Sequence, residues 1–199
     1  MRPLLLLAVA APLVAAAPIP KDFQRPVNFF PTTVGTHWEY VREGTDTLDH
    51  AREVTTEIKE KDSGRTFEET WTCFAGQYGK YHEYRVDPNG LAEIRSGRGA
   101  RFELPHLLVK AGAKASDTWD AGVGPTPPGE KPWFTGTRGA DEEVTTPAGK
   151  FRAVKVVLRN GRGEVDVHWY AAGIGLVKSK DGNGRVVVLS KFTPGKETK

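Results

Sequence analysis

Glu164-Val165-Asp166-Val167-His168-Trp169-Tyr170-Ala171-Ala172-Gly173-Ile174-Gly175-Leu176-Val177-Lys178 is the stretch on which the fold turns. Its first half alternates. Val165, Val167 and Trp169 fall on one side, and Glu164, Asp166, His168 and Tyr170 on the other, the two-residue period of a strand with one buried face. Gly173-Ile174-Gly175 then bends the chain, and Leu176-Val177-Lys178 resumes it.

The same grammar extends in both directions. Upstream, Glu142–Thr145 and Phe151–Arg159 flank Thr146-Pro147-Ala148-Gly149-Lys150, and Val154, Val156 and Leu158 share a face before the Asn160-Gly161-Arg162-Gly163 turn. Downstream, Asp181-Gly182-Asn183-Gly184 turns into a final strand, Arg185–Phe192. In the first half, Thr36–Val41 places Trp38 and Tyr40 together, Arg52–Lys59 alternates, and Thr66–Phe74 groups Phe67, Trp71 and Cys73. Tyr81–Val86 and Leu91–Arg95 flank Asp87-Pro88-Asn89-Gly90, whose Asn-Gly pair favours a hairpin. The middle is less regular. Leu104–Val109 reads as a short helical turn or a packed loop behind Pro105, and Ala121–Gly129 as a long surface loop. Periods of helical length are missing from every window of useful size, and many short strands at turn spacing indicate an all-β sandwich or barrel with antiparallel pairing.

Ahead of this, Met1-Arg2-Pro3 and the apolar run Leu4–Ala17 have the order of a secretory signal, cut after Ala16. The run is shorter than the roughly 20 residues of a membrane-spanning helix. The expected organisation is a signal peptide at 1–16, a proline-rich lead-in at 17–30, one β-domain at 31–193 and a flexible tail at 194–199. The chain has 199 residues, 38% of them hydrophobic, with a net charge of +3. Loss of Arg2 with the leader brings the charge to +2, which gives no strong attraction to nucleic acid. The one cysteine, Cys73, excludes an internal disulfide framework and any Cys-rich zinc module.

Chemistry is sparse. The five histidines form neither an H-x-H nor an H-E-x-x-H pair, so no metal site is expected. No serine sits in G-x-S-x-G or S-x-x-K, and nothing beside Cys73 would activate a thiol. Glu68-Glu69 and Asp141-Glu142-Glu143 read as solvated runs, and the glycines around Arg98 and Arg162 as turns. A polar cluster of His37, Glu39, Asp166 and His168 is the alternative, if two strands bring Thr-His-Trp-Glu and Asp-Val-His-Trp together with both tryptophans facing the core. Trp38, Tyr40, Trp71, Trp133 and Trp169 are the aromatic candidates for ligand contact, with Trp133 the one set beside the proline-glycine loop.

Phe30-Pro31, Gly35-x-x-Trp38-x-Tyr40, Leu104-Pro105-x-Leu107-Leu108, Thr118-Trp119, Thr146-Pro147-Ala148-Gly149-x-Phe151-x-Ala153 and Trp169-Tyr170-Ala171-x-Gly173-Ile174-Gly175-Leu176-Val177-Lys178 together resemble a group of exported bacterial β-domains of unknown function. The likeness runs from about Phe30 to Phe192. Such domains are similar in architecture to the LolA-like envelope carriers. The resemblance implies a single strongly curved antiparallel sheet, or an open half barrel, of about 9–11 short strands with little helix around an apolar cavity. It brings no catalytic residues and no cofactor. No lipid-anchoring cysteine follows the leader, so a free periplasmic or secreted form is expected. The favoured function is non-catalytic binding of a lipid, another apolar ligand or an envelope protein on the concave face. No transmembrane anchor is expected, and the oligomeric state stays open. The alternatives are a secreted hydrolase using carboxylates or the histidine cluster, and a structural surface protein acting through its sheet edges.

Overall fold

The computed structural model describes residues 29–59, 65–73, 80–96, 101–122 and 133–196, with the backbone alone for 58–59, 65–73 and 80–81. The leader, the lead-in up to residue 28, most of the Ala121–Gly129 loop, Gly97-Arg98-Gly99 and the last three residues lie outside the described residues.

Among the described residues the chain is all β, with no helix. The strands are β1 (His37–Arg42), β2 (Leu48–Lys59), β3 (Arg65–Cys73), β4 (Lys80–Asp87), β5 (Gly90–Ser96), β6 (His106–Lys110), β7 (Thr118–Asp120), β8 (Phe134–Thr146), β9 (Gly149–Asn160), β10 (Val165–Ala171), β11 (Gly175–Lys180) and β12 (Val186–Thr193). They form one sheet in the order β6-β5-β4-β3-β2-β1-β12-β11-β10-β9-β8-β7. All pairings are antiparallel, as the short turns require. Two meanders, β1 to β6 and β7 to β12, are therefore joined along the β1–β12 ladder at the centre of the sheet.

The strand count is twelve, because the sheet claims two segments that the sequence reading left irregular. Leu104–Val109 is not a helical turn: β6 begins directly after Pro105 and lies at the sheet edge, where a missing N–H costs least. β7 has only three residues, too few to show a period. β8 also starts earlier than Glu142, at Phe134, since a bulge between Arg138 and Asp141 breaks its alternation.

Bulges set the curvature. The register shifts on both ladders of β1 beside Tyr40, between Glu83 and Tyr84 in β4, and between Trp169 and Tyr170 in β10. Each extra residue bends and twists its strand, and these bends fall beside three buried tyrosines, Tyr40, Tyr84 and Tyr170. The sheet curls until its two edges meet. Trp119 on β7 donates its indole N–H to the carbonyl of Leu107 on β6 at 2.8 Å. The His106 ring on β6 packs on Phe134 of β8 with centroids 4.8 Å apart. Among the described residues no ladder joins β6 to β7, so the barrel stays open along this seam.

Gly136 lies directly under Trp119, and a methyl group there would overlap the indole ring. Gly136→Ala is expected to drive Trp119 off its bond to Leu107 and to cost about 3 kcal/mol. Urea unfolding measures this, and a wild-type midpoint would show that the seam does not depend on that ring.

Inside, Phe30, Trp38, Tyr40, Tyr84, Leu91, Val154, Val156, Leu158, Tyr170, Leu176 and Leu189 belong to one buried cluster. Its polar ends are satisfied, as burial demands. Trp38 Nε1 donates to the Ile174 carbonyl at 2.6 Å, and the Tyr40 hydroxyl to that of Leu176 at 2.9 Å. Both bonds tie β1 to the Gly173–Leu176 bend.

Candidate functional site

The concave face is not filled. It holds a cavity of about 820 Å³ whose apolar wall includes Phe30, Leu91, Leu108, Leu158, Leu176 and Val187. Its polar wall carries four of the five histidines, His50, His82, His106 and His168, together with Arg52. Strand pairing explains the gathering. His50 lies opposite Tyr40 on β1, and His168 opposite Val156 on β9 and Ser179 on β11, so all project from the inner face.

Most of these groups are already held. His50 stacks on Tyr40 with centroids 4.7 Å apart, and its Nδ1 is 2.8 Å from Asp49 Oδ2. The Arg52 guanidinium lies 5.4 Å from the Tyr40 ring centre. His82 is hydrogen-bonded to Glu93. At the mouth, Arg185 and Arg42 both reach Asp49. Asp181 accepts the backbone amides of Asn183 and Arg185, at 3.0 and 2.9 Å. Asp166 accepts the amide of Gly182 at 3.0 Å.

His106 and His168 differ. The Nε2 of His106 is buried with no hydrogen-bond partner among the described residues. His168 Nδ1 lies 3.2 Å from the Tyr170 hydroxyl, while His168 Nε2 has no hydrogen-bond partner among the described residues. The half-buried ring lines the cavity, and the part left uncovered faces it.

Burial keeps His50, His106 and His168 uncharged. It pushes His168 down to about 3, helped by the charge of Arg52 and by His106. His50 is pushed down to about 4 by burial and Arg52, which outweigh the upward pull of Asp49. His106 is lowered by burial against Glu93. Burial raises Asp49, but Arg185 and His50 overcome this and hold it below its ordinary range. Asp166 is raised by burial. At neutral pH His50, His106 and His168 are therefore neutral rings on the same wall as Arg52. Among the described residues, no three His, Cys, Asp or Glu side chains converge as metal ligands.

A second cavity of about 760 Å³ lies where the Thr146–Gly149 hairpin tip reaches β12, the Ala148 amide donating to the Leu189 carbonyl at 3.2 Å. Phe29, Phe151, Phe192 and Ile174 line it, and Tyr170 borders both cavities.

The residues singled out from sequence are dispersed by the fold. Trp38 points inward but is fully buried and bonded, and it belongs to the packed core. Tyr40 is buried beside the first cavity, under His50. Trp71 lies on β3, where the side chains are outside the described residues. Trp133 is 55% exposed, rests against Gly161 and lines neither cavity. Trp169 takes the outer face. Its indole N–H donates to Glu142 at 2.8 Å, and the ammonium groups of Lys155 and Lys178 each lie 5.5 Å from its ring. That hydrogen bond, with the two lysines, keeps the Glu142 carboxyl below its usual range.

Trp38 and Trp169 thus point to opposite sides of the sheet, and their neighbouring histidines do too. His37 lies outside, 3.6 Å from Glu39 and 3.8 Å from Glu53, while His168 lies inside. β12 and β11 separate β1 from β10, a gap of about 14 Å at normal strand spacing. The four-residue polar cluster of His37, Glu39, Asp166 and His168 does not assemble. Sequence reasoning passed over His50, His82, His106 and Arg52. The available signal was alternation: His50 and Arg52 are two apart on one strand, as are His82 and Tyr84.

No protein-family model matches this chain, and no curated protein matches it. Two solved structures are similar. One is a candidate lipoprotein from Parabacteroides distasonis ATCC 8503, with 19% identity and a TM-score of 0.47 over 85% of this chain and 100% of that chain. The other is a candidate exported protein with a YmcC-like fold from Bacteroides fragilis NCTC 9343, with 16% identity and a TM-score of 0.46 over 84% of this chain and 99% of that one. At this level of likeness neither neighbour assigns a function or a ligand here.

Proposed function

We propose that this chain is an exported, non-catalytic β-domain that binds an apolar ligand in the concavity of its curved sheet. The carrying observation is the inner cavity of about 820 Å³, bounded by Leu91, Leu108, Leu158 and Leu176. Its size falls within the roughly 300–1,000 Å³ of small-molecule sites. Native cores leave few voids larger than a water molecule, so an opening this large amid packed aromatic rings is a space with a use. The leader at 1–16 supports export, since a basic start, an apolar run and small residues are what the secretory machinery reads.

The neutral apolar dye N-phenyl-1-naphthylamine, added to the mature chain, tests this. Saturable fluorescence enhancement at one dye per chain, with a dissociation constant of micromolar order, is the expected result. Leu158→Trp should push an indole into the cavity and weaken binding about tenfold or more. Binding that does not saturate, or that Leu158→Trp leaves unchanged, would contradict the proposal.

A further inference from the structure

We infer that the ligand of the inner cavity is an uncharged amphiphile whose hydroxyl group bonds to His168 Nε2 while its apolar body lies against Leu91, Leu108, Leu158 and Leu176. This deepens the proposed binding function and rests on it.

The formal charges around the cavity are nearly balanced. Arg42, Arg52 and Arg185 face Asp49, Glu93, Asp166 and Asp181. The carboxylates have partners within the protein: Asp49 has Arg42, Arg185 and His50; Glu93 has His82; Asp166 and Asp181 have backbone amides. None of them calls for a cationic ligand. His50, His106 and His168 are neutral, so these three rings offer an anionic ligand no charge of their own. His106 Nε2 lacks a partner too, but it is buried; the polar position left for a ligand is Nε2 of the half-buried His168 ring, which lines the cavity with the leucines.

A hydroxyl suits that position in either tautomer. If Tyr170 donates to Nδ1, then Nε2 carries the proton and needs an acceptor. If Nδ1 donates to Tyr170, then Nε2 needs a donor. A hydroxyl is both, and an ester or hydrocarbon end is not.

Three probes of similar chain length test the inference on the mature protein: monooleoylglycerol, methyl oleate and oleate. Monooleoylglycerol should bind about tenfold more tightly than methyl oleate, the effect of one added hydrogen bond. His168→Phe keeps the ring's bulk and should erase that preference. On the wild-type protein, monooleoylglycerol should shift the ring-nitrogen resonance of His168 in NMR, and methyl oleate should not. This second reading does not depend on the variant folding. Equal binding of monooleoylglycerol and methyl oleate, or tightest binding by oleate, would overturn the inference and leave the proposed binding function standing. Binding of none of the three would overturn both.

Discussion

Gly90→Ala should leave the chain unable to fold stably. Gly90 opens β5 at the Asn89-Gly90 turn with φ +134°, a conformation that side-chain-bearing residues rarely adopt. A methyl group there would also overlap the carbonyl oxygen of Val109 on β6, the residue before Gly90's ladder partner Lys110. Relief would require β6 to leave β5. The Leu107 carbonyl that anchors Trp119 at the seam would then be lost as well. The combined cost should exceed about 4 kcal/mol, in the range reserved for a few severe mechanisms. A single domain has about 5–15 kcal/mol in total. Gly44→Ala is the control. Its φ is similar in sign, +79°, but nothing lies near the added methyl, so it should cost only about 1–2 kcal/mol. Urea unfolding of the two variants separates backbone preference from steric overlap. Equal losses would show that β6 yields easily.

Acid should unfold the protein through its inward histidines. His168 and His50 titrate near 6.5 in the unfolded chain and are pushed to about 3 and about 4 in the fold. Between those values and 6.5 the unfolded chain binds more protons, so stability rises with pH across that window. The contribution is complete above pH 6.5 and falls away as pH drops toward 4 and then 3. At pH 4.5 the two residues together should have cost about 5 kcal/mol relative to neutral pH. Other groups face these rings. Arg52 and His106 add to the effect on His168, and Asp49 opposes it at His50. His168→Phe should remove about half of the pH dependence between 7 and 4.5. Urea midpoints at several pH values measure this, and a flat profile for the wild type would mean that these rings are solvated in the fold.

Alternation made the two faces of each strand legible without saying which face is inside. On β10 the large indole of Trp169 suggested an inward face, yet Lys155 and Lys178 cover it from outside while His168 and Tyr170 face the cavity. The deciding features were long-range. The ladder partners of Trp169 are both lysines, which only the register reveals. Bulges beside Tyr40, Tyr84 and Tyr170 are equally silent in sequence, because an extra residue leaves a normal local pattern. The hairpins were plain where glycine and asparagine mark them, as at Asn89-Gly90. β6 was hidden by Pro105, which suits an edge strand as well as a loop. The histidine wall could not be read as a motif. His50, His82, His106 and His168 come from four strands, β2, β4, β6 and β10, and only the curl of the sheet brings them to one space.

A crystal structure of the mature chain soaked with N-phenyl-1-naphthylamine tests the central claim most directly. Electron density for the dye between Leu91, Leu158 and Leu176, with the His168 ring at its edge, is the predicted result. A concave face closed by its own side chains, or dye bound only on the convex side around Trp169, would contradict it.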